Sequence, residues 1–162
     1  MITKQELDEL LSYDPANGVF TWKSHRKNAI PVGSVAGSMH KTGYIQIKIN
    51  YVLYKAHRLA WLTVYGEMPR MSIDHINCNK SDNRIENLRE ATRGQNSHNR
   101  GKLSNNSVGL KGVTKVKGYD KWRSQIRCNG EIIRLGSFGS PEDAYLAYCD
   151  AAKRLHGEFA RI

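Results

Sequence analysis

The apolar runs in this chain are short, and turn residues punctuate them throughout. Asp14-Pro15-Ala16-Asn17-Gly18, Gly118-Tyr119-Asp120 and Asn129-Gly130 are the clearest stops. Between such stops lie Val19-Phe20-Thr21-Trp22, Ser34-Val35-Ala36-Gly37, Tyr44 to Ile49 and Tyr51-Val52-Leu53-Tyr54. Their lengths suit hairpin strands, and the alternation in 44–49 is the clearest strand signal. Helical punctuation is equally local. Thr3-Lys4-Gln5-Glu6 has capping-box spacing before Leu7, Leu10 and Leu11, which predicts a helix over 4–12. His57 to Gly66 reads as a short apolar helix with a left-handed glycine stop. Ser140-Pro141-Glu142-Asp143 opens a final helix that Lys153, Arg154 and Gly157 close, with Ala144, Tyr148, Ala151 and Leu155 on its apolar face. The predicted class is α+β, assembled from small pieces.

At 162 residues the chain has room for one ordinary domain or a few small modules. The small polar stretch 101–109 reads as a linker. It divides an N-terminal helix and hairpin region, 1–56, and a central segment, 57–100, from a C-terminal module, 110–162. No run approaches the roughly 20 apolar residues that span a bilayer. The N-terminus lacks the basic start and apolar core of a secretory signal, so the expected location is the cytoplasm of a bacterial or phage-infected cell, with no membrane association. Cys78, Cys128 and Cys149 form no Cys-x-x-Cys pair and are read as ordinary thiols.

The formal charge is +10, which favours a polyanionic partner, nucleic acid first. That excess is uneven: residues 101–134 hold eight basic and two acidic side chains, whereas 57–100 hold seven and five. The near balance of the central segment reads as a site that leaves Asp74 uncompensated for a metal.

Asp74-His75 sits in that segment, ahead of the Asn- and Lys-rich stretch 77–84. A carboxylate offers a hard oxygen ligand, and an imidazole offers a base that titrates near neutrality. Phosphodiester cleavage needs both, one to take the proton of the attacking water and one to hold a cation that neutralises the charge building on phosphorus. Adjacent strand residues face opposite ways, so the pair can share one phosphate only at a strand end, bulge or strong twist. Thr92-Arg93-Gly94-Gln95 is a second capping box that starts a helix carrying Asn96 and Arg100. Asn96 can join Asp74 on a metal, with Arg100 near a neighbouring phosphate; Lys80, Arg84 and Arg93 are further candidate DNA contacts.

Residues 57–100 resemble the HNH endonucleases of the homing type on His57-Arg58-Leu59-Ala60-Trp61, Asp74-His75, Asn87-Leu88-Arg89 and Asn96. The resemblance implies a ββα-metal core in which His75 is the general base. Asp74 and Asn96 would hold one divalent ion, Mg²⁺ or Mn²⁺, and Asn87 would orient His75 and the turn of the motif. His57 would pack the preceding helix against that motif.

In the C-terminal module, Lys115, Lys117, Lys121, Arg123, Arg127 and Arg134 interleave with Tyr119 and Trp122 over three predicted strands, 110–117, 121–128 and 131–137. Lys121, Arg123, Gln125 and Arg127 alternate with Trp122, Ser124, Ile126 and Cys128, so one face is cationic or amide-bearing and the other is available to a covering helix. Such a face suits a major groove, with arginine reading guanine and glutamine reading adenine. The segment resembles the plant Apetala-two, or ethylene-response-factor, DNA-binding domain on Gly112-Val113, Lys121-Trp122-Arg123, Gln125-Ile126-Arg127, Leu135-Gly136-Ser137-Phe138 and Glu142-Asp143-Ala144. That resemblance implies a three-stranded antiparallel sheet on one helix. Arg134 stands where the plant domains often have tryptophan, so base preference does not carry over.

Quieter roles are expected elsewhere: His25 and His40 in surface loops, His156 as a helix-end cation, Trp22 and Trp61 in the core. Trp122 is open between core and DNA-facing positions. The whole reading is a metal-dependent endonuclease acting on double-stranded DNA, nicking as a monomer and needing a homodimer or two engagements for a double-strand break. No obligate protein partner is evident. The alternatives are a non-catalytic DNA-binding regulator on the same scaffold and an RNA-directed protein.

Overall fold

The computed structural model describes residues 2–24, 30–99 and 106–162. Its contacts divide the chain into two compact units, 1–91 and 92–162. The predicted α+β class holds: short helices and four small antiparallel sheets among the described residues.

The first unit opens with α1 (Lys4–Leu10), capped reciprocally by Thr3 and Glu6. The helix stops at Leu10 rather than residue 12. Leu11 turns extended and is buried as the first residue of β1 (Leu11–Asp14), which pairs with β2 (Val19–Trp22). The predicted strand at 34–37 runs beside β2 with a single bridge, Thr21 to Val35. Gly37, at φ +100°, breaks the run, and regular pairing starts at β3 (Ser38–Met39). β4 (Ile45–Ile49) joins β3 to β5 (Val52–Lys55). Tyr51 belongs to the turn and not to the strand: Asn50 and Tyr51 both have positive φ, as a two-residue hairpin turn of the favoured hand requires.

Helix α2 (Ala56–Tyr65) follows directly and ends at left-handed Gly66. Leu7, Leu11, Phe20, Ile47, Ile49, Leu59 and Leu62 form one buried core with Ile73 and Leu88. Those last two anchor the hairpin of β6 (Ser72–His75) and β7 (Leu88–Ala91). Core packing therefore fixes the strand that carries Asp74 and His75.

The second unit starts with α3 (Arg93–His98), capped reciprocally by Thr92 and Gln95. β8 (Val113–Lys115), β9 (Trp122–Cys128) and β10 (Glu131–Phe138) form a sheet in the order β10-β9-β8. Asn129 and Gly130, both at positive φ, make the β9–β10 turn. α4 (Pro141–His156) carries every predicted cap and buries Ala144, Tyr148, Ala151 and Ala152, with Leu155 half-buried. Gly112 lies at φ +77° against Tyr148, where a Cβ would meet Tyr148 Cε2 at 2.6 Å. All three cysteines are free. Among the described residues no helix is long and apolar enough to cross a membrane.

Candidate active site

Asp74 and His75 end β6, and both are 4% exposed. The hairpin register sets Arg89 opposite Asp74 and Leu88 opposite His75. Arg89 donates to Asp74 Oδ2 from Nε at 3.0 Å and from Nη2 at 2.9 Å. Asp74 is therefore not uncompensated, contrary to the reading from segment charge. A charge count over 57–100 cannot register a pair created by strand pairing.

The His75 ring packs edge-on against His57, centroids 5.0 Å apart, and 5.9 Å from the Tyr44 ring. Burial lowers its pKa; the Asn83 side chain and the Asp74 and Asp82 carboxylates oppose that shift, and Lys80 adds to it. A lowered pKa keeps the ring neutral, the form that can accept a proton. His57 is pushed further, down to about 3, first by burial and then by the neighbouring His75. It is consequently a neutral packing group and a very weak base.

The loop after His75 is stitched internally. Asn87 Oδ1 accepts from the Asn77 amide at 2.9 Å, while Asn87 Nδ2 donates to the Asp82 carbonyl at 2.9 Å. The Asn87 backbone carbonyl takes the Ile76 amide at 2.9 Å. One buried side chain thus ties both flanks of the turn beside the imidazole. Arg84 clamps Asp82 through Nε and Nη2 at 2.9 and 2.8 Å and reaches Glu86 through Nη1 at 2.8 Å. Its charge is already matched within the loop. From the other side Tyr13 Oη donates to the Asn83 carbonyl at 2.7 Å.

The Arg84 contacts hold the Asp82 carboxyl down at about 2 against an ordinary 3.8. A carboxyl depressed by folding stabilises above its unfolded value and loses that contribution as pH falls through its folded value. The thermal midpoint of the wild type should therefore fall more steeply than that of Arg84→Gln between pH 3.8 and about 2. Parallel curves from scanning calorimetry would count against the clamp.

Asn96 is half-buried and Arg93 exposed on α3; Arg100 lies outside the described residues. Also within the second unit, His98 stacks on His156, centroids 3.7 Å apart and planes within 7°. Lys111 Nζ donates to the His98 carbonyl at 2.7 Å. Burial lowers the His156 pKa, and Nε2 donates to the Arg127 carbonyl at 3.1 Å. His156 is thus a packing residue and not the helix-end cation expected from its position.

Among the described residues no three His, Cys, Asp or Glu side chains cluster as a metal set. Within the first unit the Asp74 carboxylate is an oxygen donor of the kind Mg²⁺ takes, with water and substrate phosphate filling the rest of its shell.

Residues 54–98 match the HNH endonuclease family. The chain is 33% identical over 113 residues to Protein 3.8 of Escherichia phage T7, covering 67% of this chain and 93% of that protein. The chain carries an HNH endonuclease domain at residues 54–98. It is also 35% identical over 124 residues to the Uncharacterized HNH endonuclease L560 of Acanthamoeba polyphaga mimivirus; that match covers 74% of this chain and 62% of the mimivirus protein. The domain match and the mimivirus relative support a nuclease, and so a hydrolase. Within the matched HNH span lie His57, Asp74, His75, Asn87 and Asn96.

Beyond the HNH span, the C-terminal register pairs Gln125 with Arg134, Arg127 with Ile132, and Arg123 with both Ser137 and Thr114. Arg123, Gln125, Arg127 and Arg134 therefore share one face, while Ser124 and Ile126 are buried on the other. Lys115 and Trp122 are paired across strands on the Ser124 side, with the ammonium 5.3 Å from the indole centroid and 3.7 Å from Asp120. Trp122 is half-buried there, and Lys117 and Lys121 are exposed at the β8–β9 turn. Sequence reasoning missed Arg89, Asn83, Tyr13 and Tyr44. Only Arg89 left a usable signal, since pairing the 72–75 and 88–91 runs sets it against Asp74.

Proposed function

We propose that the protein is a metal-dependent endonuclease that hydrolyses phosphodiester bonds of double-stranded DNA. The observation that carries this reading is a buried imidazole at the end of β6 beside a carboxylate, with the following loop tied by Asn87. In this reading His75 takes the proton of the attacking water. Asn87 keeps the loop, and with it the imidazole, in place. Asp74 and Asn96 would hold Mg²⁺ or Mn²⁺, which when bound supplies charge neutralisation at phosphorus. Products would carry 5′-phosphate and 3′-hydroxyl ends.

One such site cuts one strand per engagement, so a monomer nicks, and a double-strand break takes a homodimer or two events. The C-terminal sheet would serve as an Apetala-two-like reader, with Arg123, Gln125, Arg127 and Arg134 toward the groove and Lys117 and Lys121 near phosphates; Lys115, on the Ser124 side with Trp122, is left out of that face. Its working place would be the cytoplasm of a bacterial or phage-infected cell, where such DNA is exposed.

Relaxation of supercoiled plasmid in Mg²⁺, against EDTA, tests the activity. DNA binding with no Mg²⁺-dependent cutting would favour the non-catalytic regulator instead. Competition by structured RNA that outruns competition by DNA would point to an RNA substrate. For the reader, Arg123→Ala and Arg127→Ala should each weaken specific binding by about 1–3 kcal/mol and shallow its salt dependence. Cutting of non-specific DNA at high enzyme concentration should persist; equal loss of both activities would argue against a separate reader.

A further inference from the structure

Three segments remote in sequence meet beside His75. Tyr44 precedes β4, Lys55 ends β5 and Lys80 lies in the loop after β6. The Lys55 ammonium is 4.4 Å and the Lys80 ammonium 5.0 Å from the centroid of the Tyr44 ring. That ring packs in turn on His57 and His75. Lys80 is steadied further by donating to the Thr42 carbonyl at 3.1 Å.

Both lysines are exposed, and neither is ion-paired with a carboxylate among the described residues. Two ammonium groups drawn to one ring repel each other. The attraction of each ammonium to the aromatic face opposes that repulsion. An anion placed between them removes it. Lys55 is also the residue preceding α2, where its side chain makes no capping hydrogen bond, so helix stability does not account for a lysine there.

We propose that Lys55 and Lys80, gathered by Tyr44, bind the DNA phosphate that lies at His75, and that Tyr44 is the positioning residue for this pair. The inference rests on the nuclease reading for its substrate. It also makes a prediction for DNA binding without metal, which does not depend on cleavage. The lysines supply ammonium donors to non-bridging phosphate oxygens, and the ring fixes their spacing and their distance from the imidazole.

The test uses the full chain and two readouts. One is the salt dependence of affinity for a short labelled duplex in EDTA, and the other is plasmid relaxation in Mg²⁺. Each lysine that meets a phosphate contributes about 0.9 to the slope of log K against log salt. Lys55→Ala and Lys80→Ala should each lower the slope by about that amount, and each should slow relaxation at least about tenfold. Lys55→Arg should recover the slope. Tyr44→Leu should lower it although no charge is removed, and Tyr44→Phe, which keeps the ring, should restore it. Lys4→Ala, whose lysine is paired with Asp8 on α1, removes the same charge remote from the cluster and should change neither readout. Circular dichroism and thermal midpoints establish that each variant is folded.

Unchanged slopes in both lysine variants overturn the proposal even where relaxation slows, because the slowing would then be structural. Equal effects from Lys4→Ala overturn it too, by reducing it to net charge. A wild type that never cuts but shows the slope changes retains the phosphate site and removes the nuclease reading.

Discussion

His75→Ala should lower Mg²⁺-dependent plasmid relaxation by about 10³-fold or more, at the upper end of what a general base contributes. Binding of duplex DNA in EDTA should stay close to wild type. Among the described residues the neighbouring imidazole cannot take over. His57 is the other imidazole in the cluster, but burial holds its pKa at about 3, so it is far too weak a base at neutral pH. Removing the His75 ring also opens a void beside Tyr44 and His57, with a stability loss of about 2 kcal/mol. Comparing His75→Ala with His75→Gln, which fills more of the space but supplies no comparable base, separates the two effects. Relaxation restored by glutamine would mean that His75 acts by packing and that another residue is the base.

Gly18→Ala should destabilise the first unit by about 3 kcal/mol and impair cleavage at temperatures where the protein is still folded. Gly18 closes the β1–β2 turn at φ +73°, a conformation that alanine adopts only with strain. A Cβ there would fall on the Arg84 amide nitrogen and within 2.5 Å of the Asn83 carbonyl carbon. These are backbone atoms, so no side-chain rotation relieves the overlap. The turn or the 83–84 segment must move. Tyr13, on the same hairpin, donates to the Asn83 carbonyl, and Asn83 and Asp82 both act on His75. A shift at the hairpin tip therefore reaches the imidazole through the loop. Thermal melting and relaxation assays check the two parts. An unchanged melting midpoint would mean that the tip can slide off the loop.

Much of the architecture was legible because its determinants are local. Capping boxes at Thr3 and Thr92, the Ser140-Pro141 start of α4, Gly66 and Asn129-Gly130 each act through their own few residues, and the structure uses every one. Misreadings arose where tertiary pairing overrides a local pattern. Leu11 continues a helical periodicity, yet it pairs with Trp22 as a strand. Tyr51 is aromatic and strand-like, yet it fills a left-handed turn position. At the site, the spacing of Asp74-His75, Asn87 and Asn96 singled out the candidates, but not their partners. Arg89 reaches Asp74 through hairpin register, and Tyr44 reaches His75 across thirty residues of intervening chain. The first contact can be read only by pairing two strands, and the second not from any local pattern. The His156 reading failed for the same reason, since a helix-end position gives no warning of the His98 ring stacked on it.

That stack bears on how the protein could be taken apart. The segment matching the HNH family ends at residue 98, which invites cutting the chain in the polar stretch that follows. Yet α3 is packed by residues far downstream: His98 lies flat on His156, and Lys111 holds the His98 carbonyl. A fragment ended at the polar stretch would lose both supports and expose a six-residue helix too short to persist unaided. The HNH sequence span is thus not an excisable cassette. A chimera meant to redirect this nuclease would have to retain α3, which carries Asn96, together with the Lys111 and His156 that pack it.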